Sequence, residues 1–441
     1  MSLLLNLLGP REGFEGGLFL PDFKQATSRR PIENVVARDP LRVPLQVSRT
    51  MPTKPEVAVG DSVLRGQRIA ALVGTASVSV HAPTSGRVVE IDRVWTAREG
   101  FLPCAVIEPD GRDTAAPCNR TWSEESMVLQ LAEHGVIVPA PLMPAHELIR
   151  QATQAGVTDL IVSAMETEPY LTSDLRTLVE QHGRFLDMTG ELADALGVHH
   201  VYFALPYRHR RVVKRVCAEA AGRHIEISPL SDRYPQCQPN LLVKTILDRE
   251  VPPGGTPLDV EAVVVPLTTI RMAADAVFSD RPVTHAIVTV AGDAVEHAGT
   301  YRVPIGTSVR QLADRVGLLA PVRQAVWGGP LTGIALTRDE TVISADTAAI
   351  LLFSQVHATN PVPCIRCGWC VEDCPVGLDP AALVQLEPAS SADEQTKAHL
   401  KTCLDCGLCS YVCPATLPLA ATIHRARERF CTTSSHSSGG A

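Results

Sequence analysis

Eight cysteines, in two short strings, limit this chain more than any other feature of its 441 residues. The first string is Cys364-x-x-Cys367-x-x-Cys370-x-x-x-Cys374-Pro375, and the second is Cys403-x-x-Cys406-x-x-Cys409-x-x-x-Cys413-Pro414. Three thiolates at this spacing wrap one face of a cubane, while the fourth, after a longer step and before a proline, points away to a second cluster. The spacing therefore predicts two [4Fe–4S] clusters with interleaved ligands. Cys364, Cys367, Cys370 and Cys413 fall to the first, and Cys403, Cys406, Cys409 and Cys374 to the second. Zinc ribbons use cysteine pairs rather than triplets with a trailing Cys-Pro. Eight cysteines bunched this closely also make a poor disulfide framework for a chain of cytosolic character. Paired clusters imply one-electron transfer.

The chain is too long for one core, and about three domains are expected. Hydrophobic content of 45% with 20% charged residues describes an ordinary globular protein. A net charge of −8 with no basic stripe, and only 4% aromatic residues, argue against a nucleic-acid partner. No run approaches the roughly 18–20 apolar residues needed to cross a bilayer, so no transmembrane helix is expected. The stretch Leu3-Leu4-Leu5-Asn6-Leu7-Leu8 has no basic start or cleavage site and does not read as a secretion signal. It reads as a packed first helix, with an apolar patch against a membrane or membrane subunit as the alternative. Iron–sulfur assembly needs reduced thiolates, which points to the cytoplasm.

The organisation expected from local patterning is a multidomain α/β plus α+β chain. Residues 1–35, rich in Gly and Pro, read as an extended arm. Residues 36–118 read as short strands: Arg42–Val47, an alternating Ser77–Val80 and Gly86–Ile91. The turns Val59-Gly60-Asp61-Ser62-Val63 and Ala82-Pro83-Thr84-Ser85-Gly86 resemble those of the flattened barrel, or barrel-sandwich hybrid, of biotinyl and lipoyl carriers. No lysine occupies a matching turn, so the unit is read as structural. Over 119–270 helices (Glu124–His134, His146–Ala155, Arg210–Ala221) alternate with buried strands (Asp159–Val162, Val198–Leu205), the pattern of a Rossmann-like α/β sheet. Strands at His285–Val290, Gly299–Pro304 and Ala348–Phe353 with a helix at Ser308–Val316 suggest a β-grasp module over 271–353. A ferredoxin-like unit over 354–430, with short helices at Pro380–Leu386 and Ala392–Leu400, holds the cysteine strings. Residues 431–441 read as a disordered tail.

In this order the units resemble the C subunit of the Rnf (Rsx) electron-transport complexes, over nearly the whole length. The resemblance rests on Gly16-Gly17, Pro21, Lys24 and Pro31-Ile32, and on the two barrel turns. Arg249–Gly255, Tyr301–Thr307, Gly328-Gly329-Pro330, Pro363–Gly368 and Cys409–Ala415 complete it. It implies a peripheral subunit on the cytoplasmic face of a membrane complex, with other subunits and a protein electron donor or acceptor as partners. It also implies a site where NADH reduces FMN upstream of the clusters. The acidic segment Glu166-Thr167-Glu168-Pro169-Tyr170 is similar to the family's, so the resemblance puts Glu166 and Glu168 beside flavin or nicotinamide.

Two departures bear on that site. The family's glycine-rich loop, Gly-Leu-Gly-Gly-Ala-Gly-Phe-Pro-Thr, is here Gly135–Pro144, with one glycine and three prolines that have no N–H for a phosphate. The family's Tyr-Pro-Gln-Gly-Gly-Glu-Lys is Tyr234-Pro235-Gln236-Cys237-Gln238-Pro239-Asn240. The expectation is a two-cluster electron-transfer subunit whose NADH/FMN site is degenerate. The rivals are an intact NADH:acceptor oxidoreductase with FMN in a remodelled loop, and a non-catalytic scaffold. His199 and His200 point apart on a strand, and Tyr207–Arg211 reads as a solvated loop or helix start. Cys104, Cys118, Cys217, Cys237 and Cys431 read as packing residues.

Overall fold

The structure, a computed structural model, describes residues 13–117, 127–356, 360–386 and 391–431. The leucine-rich stretch at residues 3–8, Cys118 and the tail from 432 lie outside the described residues. The first unit is two small sheets face to face. One has the order Leu41–Pro44, Gly100–Pro109, Gly86–Thr96, Ser62–Val63, and the other Thr53–Pro55, Arg68–Leu72, Val80–His81. Leu41 and Val43 turn inward while Arg42 faces out, as the strand period requires, and they meet Ile69, Val88 and Ile107 in the core. The strand expected over Ser77–Val80 is only Val80–His81. Ser77 and Val78 are buried but unladdered, and the Ser77 hydroxyl donates to the Pro52 carbonyl instead (2.6 Å). At Gly86 a Cβ would collide with the Glu108 carbonyl, which explains the glycine in that turn.

The α/β unit is a four-stranded parallel sheet in the order Glu226–Leu230, His200–Pro206, Asp159–Ser163, Ala262–Pro266. All five residues of Asp159–Ser163 are buried, because helices cover both faces of the sheet. The largest element missed by local patterning is the helix Ser173–Leu196, kinked at Gln181 (φ −141°) and buried through Leu178, Phe185, Leu186 and Leu192. Pro239–Leu247, Leu267–Ser279 and Leu419–Cys431 are further helices.

The third unit is a six-stranded mixed sheet in the order Glu33–Asn34, Gly299–Pro304, His285–Ala291, Ala349–Phe353, Gln324–Trp327, Ile334–Leu336. Its helix Val309–Val316 starts at a capping box. The Ser308 hydroxyl accepts from the Gln311 amide (3.1 Å), and the Gln311 side chain accepts from the Ser308 amide (2.7 Å). The expected N-terminal arm is extended but pinned. Gly17 N donates to Asp373 O (2.9 Å), Leu18 pairs with Tyr234, Lys24 is buried against the α/β unit, and Glu33–Asn34 adds a strand to the third sheet. The arm thus ties three units together.

Candidate functional site

The two cysteine strings are offset by 39 residues at every position (403 against 364 through 413 against 374), and the backbone repeats with them. Arg366 and Asp405, Gly368 and Gly407, and Gly377 and Thr416 all take positive φ, between 52° and 84°. Each C-x-x-C run thus turns through a left-handed residue and a left-handed glycine into a one-turn helix, Trp369–Glu372 or Leu408–Tyr411. Left-handed turns aim successive amides inward. Arg366 N donates to Cys364 Sγ (3.4 Å) and Leu378 N to Cys374 Sγ (3.3 Å). Such N–H···S bonds are a principal lever on cluster potential.

Cys374 leaves its own string and packs with Cys403 and Cys409 around Leu378, Leu383, Leu400 and Ile423. As bare thiols, burial pushes Cys403 to about 11 and Cys406 and Cys409 to about 12. Cys374 adds to the rise of all three, Cys403 adds to that of Cys406 and Cys409, and Cys406 to that of Cys409. Four thiolates this close repel one another and hold their charge only around cations, as iron in a cubane supplies. In the other half, Cys367 adds to the burial-driven rise of Cys370, and Val362 N donates to Ala415 O (3.1 Å), drawing the approach to Cys364 beside the exit from Cys413. Among the described residues no three His, Cys, Asp or Glu side chains converge as one ion would require. A cubane, by contrast, takes each thiolate on a separate iron.

The two halves differ in setting. Cys364 and Cys367 are exposed, beside Ile365 (65% exposed) and Trp369 (51%). The second set faces inward: Tyr234, 1% exposed, donates its hydroxyl to the Cys406 carbonyl (2.6 Å), and Gly407 lies against Leu331 so closely that a Cβ would stand 2.6 Å from its carbonyl oxygen.

Tyr234 also walls a cavity of about 290 Å³ at the carboxyl ends of the parallel strands, the usual ligand position in such sheets. Segments separated in sequence meet there, among them Pro139 and Ala140, Met165 and Glu168, and Tyr234 with Cys237, Gln238 and Pro239. The expected glycine-rich loop is a hairpin, Ile137–Pro139 with Leu142–Pro144, followed directly by the helix Ala145–Ala155. The charged or ionisable carboxyls on the wall are Glu168, Asp174 and Asp346, against one guanidinium, Arg271.

Glu166 and Glu168 are both engaged by protein groups. The Glu166 carboxylate accepts from Ser173 Oγ (2.9 Å), Asp174 N (3.2 Å) and Leu175 N (3.3 Å), capping the long helix. Its carbonyl accepts from the buried Lys24 ammonium (2.5 Å). Burial lowers the Lys24 pKa, and Glu166 opposes that shift. Glu168 accepts from Leu331 N (3.1 Å) and the Thr332 hydroxyl, joining the α/β unit to the third sheet. Burial raises its pKa. Glu168 lines the cavity, whereas Glu166 does not. Asp174 does line it, and burial with the nearby Glu166 pushes its carboxyl up to about 7.

Asp174 carries a pH prediction. Its folded pKa lies above the ordinary carboxylate value, so from about pH 4 to 7 the unfolded chain sheds a proton the folded chain keeps. Stability therefore falls as pH rises through that window, by on the order of 1 kcal/mol per unit. Asp174→Asn is expected to flatten this slope and raise the melting temperature at pH 8. Equal slopes for both proteins in anaerobic melts would contradict it.

Other sequence candidates resolve simply. His200 stands 3.5 Å from Asp159, with no shared site with His199. Arg208 pairs with Asp22 (3.1 Å) and Asp232 (2.9 Å), and the helix begins at Arg210. Cys104 is buried among Val94, Val106 and Val342.

A strand-end cavity in an α/β unit, joined by a buried tyrosine to two ferredoxin-type cysteine strings, marks an iron–sulfur electron-transfer protein. Family models agree: a RnfC barrel sandwich hybrid domain matches residues 12–112, a Nuo51 FMN-binding domain 142–274 and a 4Fe-4S dicluster domain 363–417. The chain belongs to the C-subunit family of the Rnf ion-translocating oxidoreductase complexes. It is 31% identical over 439 residues to the C subunit of the ion-translocating oxidoreductase complex of Rhodobacter capsulatus, covering 96% of this chain and 85% of that one. It is 30% identical over 383 residues to the C subunit of the proton-translocating ferredoxin:NAD(+) oxidoreductase complex of Clostridium ljungdahlii, covering 84% of each. A Pseudomonas aeruginosa relative is 32% identical, with 49% of its length covered. In fold, the chain is similar to an NAD+-reducing [NiFe]-hydrogenase chain (TM-score 0.50, 15% identity), covering 70% of this chain and 62% of that one. Among the described residues no helix is long and apolar enough to cross a membrane.

Proposed function

We propose that this protein is the electron-transfer C subunit of an ion-translocating oxidoreductase complex, relaying single electrons through two [4Fe–4S] clusters without a phosphate-anchored flavin. The observation that carries the reading is the packing of Cys374 with the opposite string, which supports Cys374, Cys403, Cys406 and Cys409 as one ligand set and leaves Cys364, Cys367, Cys370 and Cys413 as the other. Each cluster, when bound, accepts and releases one electron. The chain's own residues set the direction of access. Tyr234 and Leu331 shield the inner set, and Ile365 and Trp369 leave an apolar patch around the outer Cys364 and Cys367 where a partner protein can dock.

The strand-end cavity does not fit FMN. Pro139, Pro141 and Pro144 stand where the family's loop offers amides to a phosphate, and the wall brings a single guanidinium, Arg271, to meet a dianion. We read the third unit as a β-grasp module, and the subunit as peripheral on the cytoplasmic side of its membrane complex. A second reading has one observation in its favour: the cavity persists, and Tyr234 joins it to Cys406. A redox ligand held there by non-phosphate contacts would sit beside the inner cluster. Mixing the anaerobic, oxidised chain with NADH separates the two. We expect no bleaching of cluster absorbance by NADH and full bleaching by dithionite. Rapid NADH bleaching would establish the second reading.

A further inference from the structure

Away from the clusters, a cleft of about 870 Å³ opens where the barrel, the α/β unit and the third sheet meet. Five arginines face it: Arg65, Arg184, Arg271, Arg281 and Arg302. They come from three units and are scattered over 238 positions (65 to 302, inclusive), so the fold, not a local basic run, brings them together.

The counter-charges are already engaged. Asp113 pairs with Arg65 (3.1 Å), Asp280 with His134 (2.8 Å), and Asp275 with Arg184 (3.2 Å) and, at 3.7 Å, with Arg271. The Arg184 guanidinium is satisfied further by Ala274 O (2.6 Å) and Ser279 Oγ (2.7 Å). Among the described residues the guanidiniums of Arg281 and Arg302 make no hydrogen bond or ion pair. Arg302 projects from Gly299–Pro304, opposite Ile287, and is only partly exposed. An arginine held there without an anion is costly, since desolvation and like charge act together. Its pKa is lowered by burial, partly offset by Asp275, and lowered further by Arg271, Arg65 and Arg281. His285 on the same wall is held neutral by burial and by Arg302, Arg65 and Arg271, so it adds no charge.

We propose that this cleft binds a small phosphorylated ligand, with a pyrophosphate-type group held among Arg271, Arg281 and Arg302. Planar guanidiniums match phosphate oxygens two at a time, which a lysine patch does not. The volume is that of a small-molecule site, and Val36, Pro83, Pro282 and Pro304 offer an apolar wall for a base or ring. A cleft walled by three units favours such a ligand over an acidic protein segment, which would suit a flatter face. The site is distinct from the strand-end cavity, and Arg271 is the residue between them.

Calorimetric titration of the anaerobic, cluster-loaded chain with inorganic pyrophosphate, and separately with ADP, tests this. We expect saturable binding near one per chain, weakened by salt. Arg302→Ala is expected to lower affinity about tenfold or more, from loss of charge-assisted hydrogen bonds. Arg281→Ala, at an exposed position where truncation leaves the core intact, is expected to do the same to a lesser degree. Arg310→Ala, on an outer face with Asp339 as partner, is the unchanged control. No saturable binding of either probe would overturn the proposal, as would unchanged affinity in both the Arg281 and Arg302 variants. So would binding of an oligoglutamate peptide without binding of pyrophosphate, which would make the cleft a protein-docking site.

Discussion

Replacing Cys406 by serine is expected to halve the iron of the anaerobically purified chain, from about eight atoms to about four. Cys406 lies in the inward-facing set, where its thiol is raised to about 12 by burial and by the nearby Cys403 and Cys374. A serine hydroxyl ionises far less readily than a thiol, so it cannot supply the missing corner at neutral pH. The remaining cluster keeps its own four ligands if the strings interleave as the packing of Cys374 indicates. Interleaving also predicts which variants match. Cys374→Ser should remove the same cluster signal as Cys406→Ser although it lies in the other string, and Cys413→Ser should remove the opposite one. Electron paramagnetic resonance of the reduced proteins reads this directly. Matching losses for Cys374→Ser and Cys370→Ser would mean each string serves its own cluster.

Tyr234→Ala is expected to cost about 3–5 kcal/mol, the range for deleting a buried aromatic side chain. Tyr234 is among the largest fully buried side chains, and it joins three parts of the molecule. Its backbone pairs with Leu18 of the arm, its ring walls the strand-end cavity, and its hydroxyl reaches Cys406 O. The truncation should loosen the dicluster unit from the α/β sheet, seen as faster proteolysis between them and faster loss of the inner cluster to oxygen. Tyr234→Phe keeps the ring and drops only the hydroxyl bond, a loss of about 1 kcal/mol. Equal stability of Ala and Phe variants would show that the ring does not hold the interface.

How much of this was legible in the sequence depends on the reach of each signal. Ligand spacing is local covalent chemistry, so the cysteine strings could be read directly. The left-handed turns at Arg366 and Asp405 that repeat with them could not, because arginine does not favour positive φ and aspartate adopts it only occasionally. The parallel strands were legible because strands buried on both faces read as unbroken apolar runs, as at Asp159–Ser163. The helix Ser173–Leu196 was not, since Gly183 and Gly190 interrupt its pattern and packing, not propensity, sustains it. Glu166 and Glu168 were found as an acidic pair, yet their engagement with a helix start and with the Leu331–Thr332 turn depends on contacts up to 164 positions away. The arginine cleft left no trace in the sequence, since its members share no run or period.

The proposed relay has two iron–sulfur clusters as the redox centres of this chain and no FMN in its strand-end cavity. Iron, acid-labile sulfide and acid-extractable flavin, measured on one anaerobic preparation of the full chain, test it most directly. About eight iron and about eight sulfide per chain are expected, with flavin absent. Flavin near one per chain, or iron near half the predicted content in the unsubstituted protein, would contradict it.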